Sequence, residues 1–299
     1  MNKHYLLRIL LSFVIIIYLP SFSAINPDSG KKPKRIEYIK AGKLRVYTEV
    51  QGKGYPLLLL HGGYLDHHMW DQQVSYFKSF YKVITIDLPG HSATSGVDIS
   101  LKIEEVIRIV LDTLKIKKTN LAGLSLGSMC AMDFILAYPD RVNRLILVSP
   151  GFWHNVLQID NMSKRLFALS DSIESTQDVR LITRNFMDTW CVGPYRMEKQ
   201  VNSSVLSYVY KTTLQNRSRK SPTWPVFDQN HSAINLKEIK CPVLLIEGNK
   251  DVPHIRETVS YLHHHISGAK LYTMKDAAHM LNMEQPKLFN QQVQKFFSK

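Results

Sequence analysis

The chain has 299 residues, 44% of them hydrophobic, with aromatic residues spread along its length. This composition is sufficient for a buried core and excludes an intrinsically disordered chain. The excess of 38 Lys and Arg over 25 Asp and Glu gives a formal net charge of +13. No basic motif alternates with aromatic residues, so we expect a generally basic surface and no nucleic-acid partner.

The first 23 residues have the layout of a secretory signal peptide. Lys3 and Arg8 form a short positive start, an apolar stretch follows from residue 9 to residue 19, and small residues offer a cleavage site after Ser23. The apolar stretch is shorter than the roughly 20 residues that a spanning helix needs. We therefore expect export to the periplasm or the medium, with no stable membrane insertion after removal of the signal. An uncleaved N-terminal membrane anchor is the alternative.

Residues from about Pro27 to Pro33 are polar and predict a linker, which we place at residues 24–35. Residues 36–150 predict the first part of an α/β core. Residues 44–50 alternate apolar and polar side chains, which is the period of a half-buried strand. Short apolar runs then alternate with helical patterns, as in a parallel sheet that helices cover on both faces. These runs lie at residues 57–60, 83–86, 120–123 and 144–148. One of the helical patterns runs from Ser100, the predicted N-cap, to about Leu114.

The alternation is interrupted at residues 151–239. This segment carries helical patterns and many aromatic residues but no apolar strand runs, which predicts a helical cap inserted over the carboxyl edge of the sheet. Residues 240–299 predict the second part of the core, with strands at 243–247 and 270–274 and a final amphipathic helix at 286–297. The predicted fold class is therefore α/β, a doubly wound, mostly parallel sheet with a helical cap.

The strongest local motif is Gly123-Leu124-Ser125-Leu126-Gly127, which lies between a predicted strand and a predicted helix. A sharp turn here lifts the serine hydroxyl above the sheet, and the two glycines allow the backbone to crowd at the turn. The Leu126 amide then lies at the N-terminus of the helix, where it can stabilise a developing oxyanion. Ser125 is therefore the candidate nucleophile.

A serine hydroxyl needs a base, and His279 is the candidate base with Asp251 as the acid that orients it. Asp251 follows one predicted strand and His279 follows the next, so both are expected to converge on Ser125. Glu247 and Asp276 are weaker candidates for the acid. Glu247 still lies in its predicted strand, and Asp276 is expected to form a turn.

The second oxyanion donor is expected in the loop after the first parallel strand, where the sequence is His61-Gly62-Gly63-Tyr64. The Gly63 amide is the preferred donor and the Tyr64 amide is the alternative, while His61 is expected to hold its own loop. Tyr64 and Trp153 are the candidate substrate-binding residues.

The histidine patterns predict no metal site. His263, His264 and His265 are consecutive residues of a predicted helix and therefore point in different directions, and no H-x-x-x-H or H-E-x-x-H spacing occurs. Near the oxyanion loop, His67 and Trp70 either line the pocket or pack within the fold.

These motifs resemble those of the α/β-hydrolase superfamily in its single-domain form with a helical cap. The matching segments are HGG at 61–63, DLPGHS at 87–92, GLSLGS at 123–128, YPDRVNRLILVSP at 138–150, PVLLIEGNKDVP at 242–253 and DAAHMLNMEQP at 276–286. The resemblance covers residues 36–299, with the cap matching only loosely.

The resemblance implies a serine hydrolase that cleaves an ester, lactone or related acyl bond of a small molecule through an acyl-enzyme, without a cofactor. Serine at position 125, where epoxide hydrolases and haloalkane dehalogenases carry an aspartate, argues against those two reactions. The aromatic cap favours an uncharged substrate of modest size. The alternatives are a carbon–carbon bond hydrolase or lyase on the same scaffold, and a non-catalytic ligand-binding protein of this fold.

Overall fold

The computed structural model describes residues 34–151, 157–219, 224–227 and 236–298. The predicted signal peptide, most of the predicted linker and Trp153 lie outside these residues, so export and a substrate contact of Trp153 stay predictions. In the part of the chain that is described, no helix is both long and apolar enough to cross a membrane.

The described residues contain eight strands, which form one sheet in the order β1-β2-β4-β3-β5-β6-β7-β8. Their bounds are β1 Arg35–Ala41, β2 Leu44–Gln51, β3 Tyr55–Leu60, β4 Tyr81–Ile86, β5 Thr119–Leu124, β6 Val142–Val148, β7 Val243–Gly248 and β8 Lys270–Met274. Strand β2 pairs antiparallel with both β1 and β4, whereas β3 to β8 all run parallel. The predicted mostly parallel α/β sheet is confirmed.

Helices cover both faces of the parallel strands, which explains their continuous apolar runs. In β3, Leu58 and Leu60 pack into the apolar cluster on one face, and Leu57 and Leu59 pack into the cluster on the other. The covering helices are α1 Asp71–Phe77, α2 Ile103–Thr113, α3 Leu126–Ala137, α7 Pro253–His265, α8 Leu281–Glu284 and α9 Pro286–Phe297.

Helix α2 begins later than the sequence predicts. The expected N-cap, Ser100, is not the cap, because the helix starts at Ile103 after Lys102. The Ser100 hydroxyl instead donates a hydrogen bond to Asp98 Oδ1 at 2.7 Å, within the preceding loop. The Ser100 hydroxyl is therefore used within the loop and is not available for the capping of the helix that the sequence had predicted.

In the described residues between β6 and β7, where the sequence predicts the cap, the chain forms three α-helices. They are α4 (Asn161–Ser175), α5 (Val179–Phe186) and α6 (Ser203–Arg217), and a π-helical turn at Met187–Val192 continues α5. The side chains of Asp160, Asp178 and Asn202 accept hydrogen bonds from first-turn amides, which defines the start of each helix. Residues of all three helices line a cavity together with residues at the carboxyl edge of the sheet.

Candidate active site

Ser125 lies in a strained turn between β5 and α3. Its φ of 53° is in the left-handed region, which is costly for a residue with a Cβ atom. The crowding of the turn explains the flanking glycines. A Cβ on Gly123 would lie 2.1 Å from the carbonyl oxygen of Gly127, and a Cβ on Gly127 would lie 2.2 Å from the carbonyl oxygen of Leu60. Packing against the neighbouring strand therefore holds the half-buried serine in its position on the turn.

His279 and Asp251 form a buried pair in the loops after β8 and β7. Nδ1 of His279 donates a hydrogen bond to Oδ2 of Asp251 at 2.9 Å. The other carboxylate oxygen of Asp251 accepts from the Val252 amide at 2.8 Å. Because Nδ1 faces the acid, Nε2 lies on the opposite side of the imidazole ring, where it can act as an acceptor.

The loop that carries His279 is held by a second buried pair. Glu284 accepts a hydrogen bond from the Ala278 amide at 3.0 Å, and Arg196 donates to the carbonyl oxygen of Asp276 at 3.0 Å. Arg196 and Glu284 also pair with each other, and both side chains are almost completely buried. A charged residue of the cap segment therefore helps to fix the loop on which the imidazole lies.

The two weaker candidates for the acid have other roles. Glu247 lies within β7, and its carboxylate accepts a hydrogen bond from the Thr273 hydroxyl at 2.8 Å. Asp276 has a φ of 57°, and its amide donates to Oδ1 of Asn249 at 2.7 Å, as expected of a turn residue. The carboxylate that the structure pairs with His279 is that of Asp251.

The hydrogen bonds of His61 orient the Gly63 amide. Nε2 of His61 accepts from the Leu88 amide at 2.9 Å, so Nδ1 carries the hydrogen and donates to the carbonyl oxygen of Gly62 at 2.8 Å. In a trans peptide, the Gly63 N–H points to the side opposite the Gly62 carbonyl. It has no hydrogen-bond partner among the described residues. His61 thus holds its own loop and leaves the Gly63 amide available to a ligand.

The alternative donor, the Tyr64 amide, is already engaged. It donates to Nε2 of His91 at 3.1 Å, and Nδ1 of His91 donates to the carbonyl oxygen of Pro89 at 3.0 Å. Burial lowers the pKa of His91 to about 3, so the ring is neutral at pH 7 and Nε2 remains an acceptor. The Tyr64 carbonyl oxygen in turn accepts from Nδ2 of Asn216 in α6 at 2.9 Å. Of the two candidates, only Gly63 keeps its amide free within the described structure.

A cavity of about 290 Å³ brings most of the predicted site residues together. Ser125, Leu126, Gly63, Tyr64 and His279 all line it, and Asp251 lies behind His279. The cavity is the place where a carbonyl group could meet the serine hydroxyl, the imidazole and the two amides.

Sequence reasoning missed the cap residues that line this cavity. Trp190, in the π-helical turn, lies with its ring centroid 4.8 Å from that of His279. Trp224 approaches the oxyanion loop so closely that a Cβ on Gly63 would lie 3.1 Å from its ring. The available signal was the high aromatic content of residues 151–239, which indicated a ligand-facing segment without identifying its members.

His67 and Trp70 pack within the fold and are not among the lining residues of the cavity. Asp66, His67 and His68 bring atoms of metal-ligand type within 4.8 Å of one another. However, Oδ1 of Asp66 already accepts hydrogen bonds from the His68 amide and the Tyr208 hydroxyl. These contacts are those of a helix cap that is tied to α6.

Comparison with known proteins agrees with this architecture. The chain is 24% identical over 253 residues to (E)-2-((N-methylformamido)methylene)succinate hydrolase of Acinetobacter baylyi, which covers 82% of this chain and 90% of that protein. It is 27% identical over 263 residues to carboxylesterase YbfK of Bacillus subtilis, which covers 85% of this chain and 84% of that protein.

Solved structures share the fold. A thermophilic esterase from Thermogutta terrifontis superposes with a TM-score of 0.72 at 21% identity, over 89% of this chain and 98% of that chain. Residues 55–286 match the family model described as the alpha/beta hydrolase fold. The match spans most of the chain, and the chain therefore belongs to the α/β-hydrolase fold family.

Proposed function

We propose that this protein is a serine hydrolase that cleaves a carboxylic ester or lactone through an acyl-enzyme. Ser125 is the nucleophile, His279 the general base and Asp251 the acid that orients the base. The observation that carries the proposal is that Ser125 and His279 line the same cavity. Ser125 lies on its strained turn there, and His279 is held by its hydrogen bond to Asp251. The carboxylesterase among the relatives supports ester bonds as the target.

In the acylation step, Nε2 of His279 removes the proton of Ser125 while the serine oxygen attacks the acyl carbonyl carbon. Asp251 holds Nδ1 of the imidazole and stabilises the imidazolium that forms. The amides of Leu126 and Gly63 bind the oxygen that becomes negative. His279 then gives its proton to the departing alcohol oxygen, and the carbon–oxygen bond to the alcohol breaks.

In the deacylation step, His279 removes a proton from a water molecule that attacks the acyl-enzyme carbonyl. The same two amides bind the second oxyanion, and the proton returns through His279 to Ser125 as the acid leaves. Both steps use the same two amides. The hydrogen bonds of His61 orient the Gly63 amide, and the N-terminus of α3 orients the Leu126 amide, so neither donor has to move during the reaction.

Covalent labelling with a fluorophosphonate probe tests the nucleophile. The probe should label the protein, and Ser125→Ala should remove the label and lower ester turnover by at least about 10⁴-fold. Ser170→Ala is the matched control, because Ser170 lines the same cavity from the cap side, and this variant should keep the label. Labelling that survives Ser125→Ala would overturn the assignment.

A substrate panel tests the type of bond. Small esters and lactones should be hydrolysed, whereas turnover of vinylogous diketones alone would favour the carbon–carbon bond hydrolase instead. A protein that binds these compounds without either labelling or turnover would be a non-catalytic member of the family.

A further inference from the structure

The cap wall of the cavity contains a guanidinium–carboxylate pair. Arg217, the last residue of α6, pairs through Nη2 with Glu174 in the last turn of α4. Its Nη1 donates to the Tyr64 hydroxyl at 2.7 Å, and its guanidinium carbon lies 4.8 Å from the centroid of the Tyr64 ring. Among the described lining residues, Arg217 and Glu174 are the only Lys, Arg, Asp or Glu side chains.

The two members of this pair are not equally constrained. The Arg217 side chain is 17% exposed and is held by both the ring and the hydroxyl of Tyr64, whereas the Glu174 side chain is 43% exposed. An ion pair with a half-exposed partner is only weakly favourable, since water competes for the carboxylate. The cation is therefore fixed in the cavity wall, and its present carboxylate partner is replaceable.

Two hydrogen-bond donors in this wall, one of them on Arg217 itself, lack partners among the described residues. Thr213 is completely buried, and neither its hydroxyl oxygen nor Nε of Arg217 has a hydrogen-bond partner among the described residues. Thr213 and Arg217 are four residues apart in α6 and so share one helix face, and both line the cavity. Buried donors are nearly always satisfied in folded proteins, so this face of α6 is short of hydrogen-bond acceptors.

We propose that this wall binds a carboxylate of the substrate, so that the substrate is an ester or lactone carrying a second, ionised carboxyl group. The substrate carboxylate replaces Glu174 as the partner of Arg217. This inference rests on the proposed function, because the same molecule must present its acyl carbonyl to Ser125. A substrate with an ionised carboxyl group differs from the uncharged substrate that we expected from the aromatic residues of the cap sequence.

The test compares half-esters with neutral esters of matched length. The substrates are the monomethyl esters of glutarate, adipate and pimelate, and the methyl esters of the corresponding monocarboxylic acids. For the best pair, kcat/KM of the half-ester should exceed that of the neutral ester by about tenfold or more, the value of one charged hydrogen bond. We use the ratio of these two kcat/KM values as the readout. A substitution that disturbs Ser125 or His279 lowers both values alike and leaves the ratio unchanged.

Variants of the pair should move the ratio in opposite directions. Arg217→Met should lower it to about one or below, because the cation is lost and Glu174 then repels the half-ester. Glu174→Gln should raise it by about threefold or more, because the competing carboxylate is removed. Arg184→Met is the matched control. Arg184 is a half-exposed arginine of α5 that pairs with Asp188 and Glu198 outside the cavity, so the ratio should not change.

A wild-type ratio of one or below would overturn the subsite, and so would an unchanged ratio in Arg217→Met. Preference for the methyl ester of an ω-amino acid would assign recognition to Glu174 and would also overturn it. If Arg217→Met does not fold, a ratio that fails to rise in Glu174→Gln decides against the proposal. If the wild type hydrolyses no ester, the proposed function fails separately. Calorimetry then decides the subsite, because the wild type should still bind the half-esters and Arg217→Met should not.

Discussion

Two buried histidine–aspartate pairs lie at the carboxyl edge of the sheet, and their local geometry is nearly the same. Asp251 follows β7 and pairs with His279 after β8 at 2.9 Å, while Asp87 follows β4 and pairs with His67 after β3 at 2.8 Å. In both pairs Nδ1 faces the carboxylate, and both carboxylates are completely buried. The geometry of the pair alone therefore does not distinguish a catalytic histidine from a structural one.

The surroundings distinguish the two pairs. His279 lines the cavity with Ser125, whereas neither His67 nor Asp87 is among the lining residues. The Asp87 carboxylate also accepts from the amides of His67 and Ala93, at 2.9 and 3.0 Å, and so ties two loops together. Burial by itself would raise the pKa of Asp87, but the hydrogen bonds from His67 outweigh it and hold the pKa below its usual value. Shared access to the cavity with Ser125, rather than the geometry of the pair itself, is what supports the proposed catalytic role of His279 and a structural role for His67.

The largest expected effect concerns the pair that we propose to be catalytic, Asp251 and His279. Asp251→Asn keeps the shape of the side chain but favours the wrong imidazole tautomer and leaves the imidazolium unsupported. We expect kcat to fall by about 10²- to 10⁴-fold with little loss of folded protein. Turnover of an activated ester, with folding checked by circular dichroism, measures this.

Asp276→Asn is the control for that change, because Asp276 is a nearby acid in the His279 loop. Its φ of 57° is one that asparagine tolerates, so kcat should stay within about twofold of the wild type. An inactive Asp276→Asn beside a fully active Asp251→Asn would show that the acid is misassigned, although Ser125 and His279 could keep their roles.

The structural pair should respond to the same substitution in stability rather than in rate. Asp87→Asn removes a buried carboxylate that accepts three hydrogen bonds from His67 and Ala93. We expect the free energy of unfolding to fall by about 3 kcal/mol, while kcat of the folded protein falls by less than about tenfold. Urea unfolding and turnover measured on the same samples separate the two effects. If Asp87→Asn instead lowered kcat as much as Asp251→Asn does and left the stability unchanged, the two pairs would not differ in role.

The smallest effect concerns His91, which holds the oxyanion loop beside the structural pair. Burial lowers its pKa from 6.5 to about 3, so between these values the unfolded chain takes up a proton that the folded protein does not. Stability is therefore lost as the pH falls below 6.5, by about 2 kcal/mol between pH 7 and pH 5. His91→Gln should remove this part of the pH dependence, and His264→Gln, at an exposed position, should not. Equal slopes for the wild type and His91→Gln in unfolding experiments would contradict the assignment.

The sequence alone was sufficient for features whose cause is local. The strand at residues 270–274 and the helix at 286–297 were predicted with the observed bounds. The apolar residues of the helix recur at helical spacing, and the strand is bounded by turn residues on both sides. The turn at Ser125 was predictable because only glycine fits where a Cβ would meet a carbonyl oxygen at 2.1 or 2.2 Å. Ser100 was misassigned because a hydrogen bond to Asp98, two residues away, competes with capping and wins.

The sequence by itself thus determined the fold class, the strained serine turn and the short set of histidines and acids that can serve it. Only the tertiary structure decided which histidine–aspartate pair faces the cavity and which amide of Gly63 and Tyr64 has no hydrogen-bond partner among the described residues. These outcomes depend on contacts between distant parts of the chain, such as that of Asn216 with the Tyr64 carbonyl, 152 residues away. The wall formed by Arg217 and Thr213 is of the same kind. A helix face is predictable from its period, but what it faces is set by the packing of other segments against it.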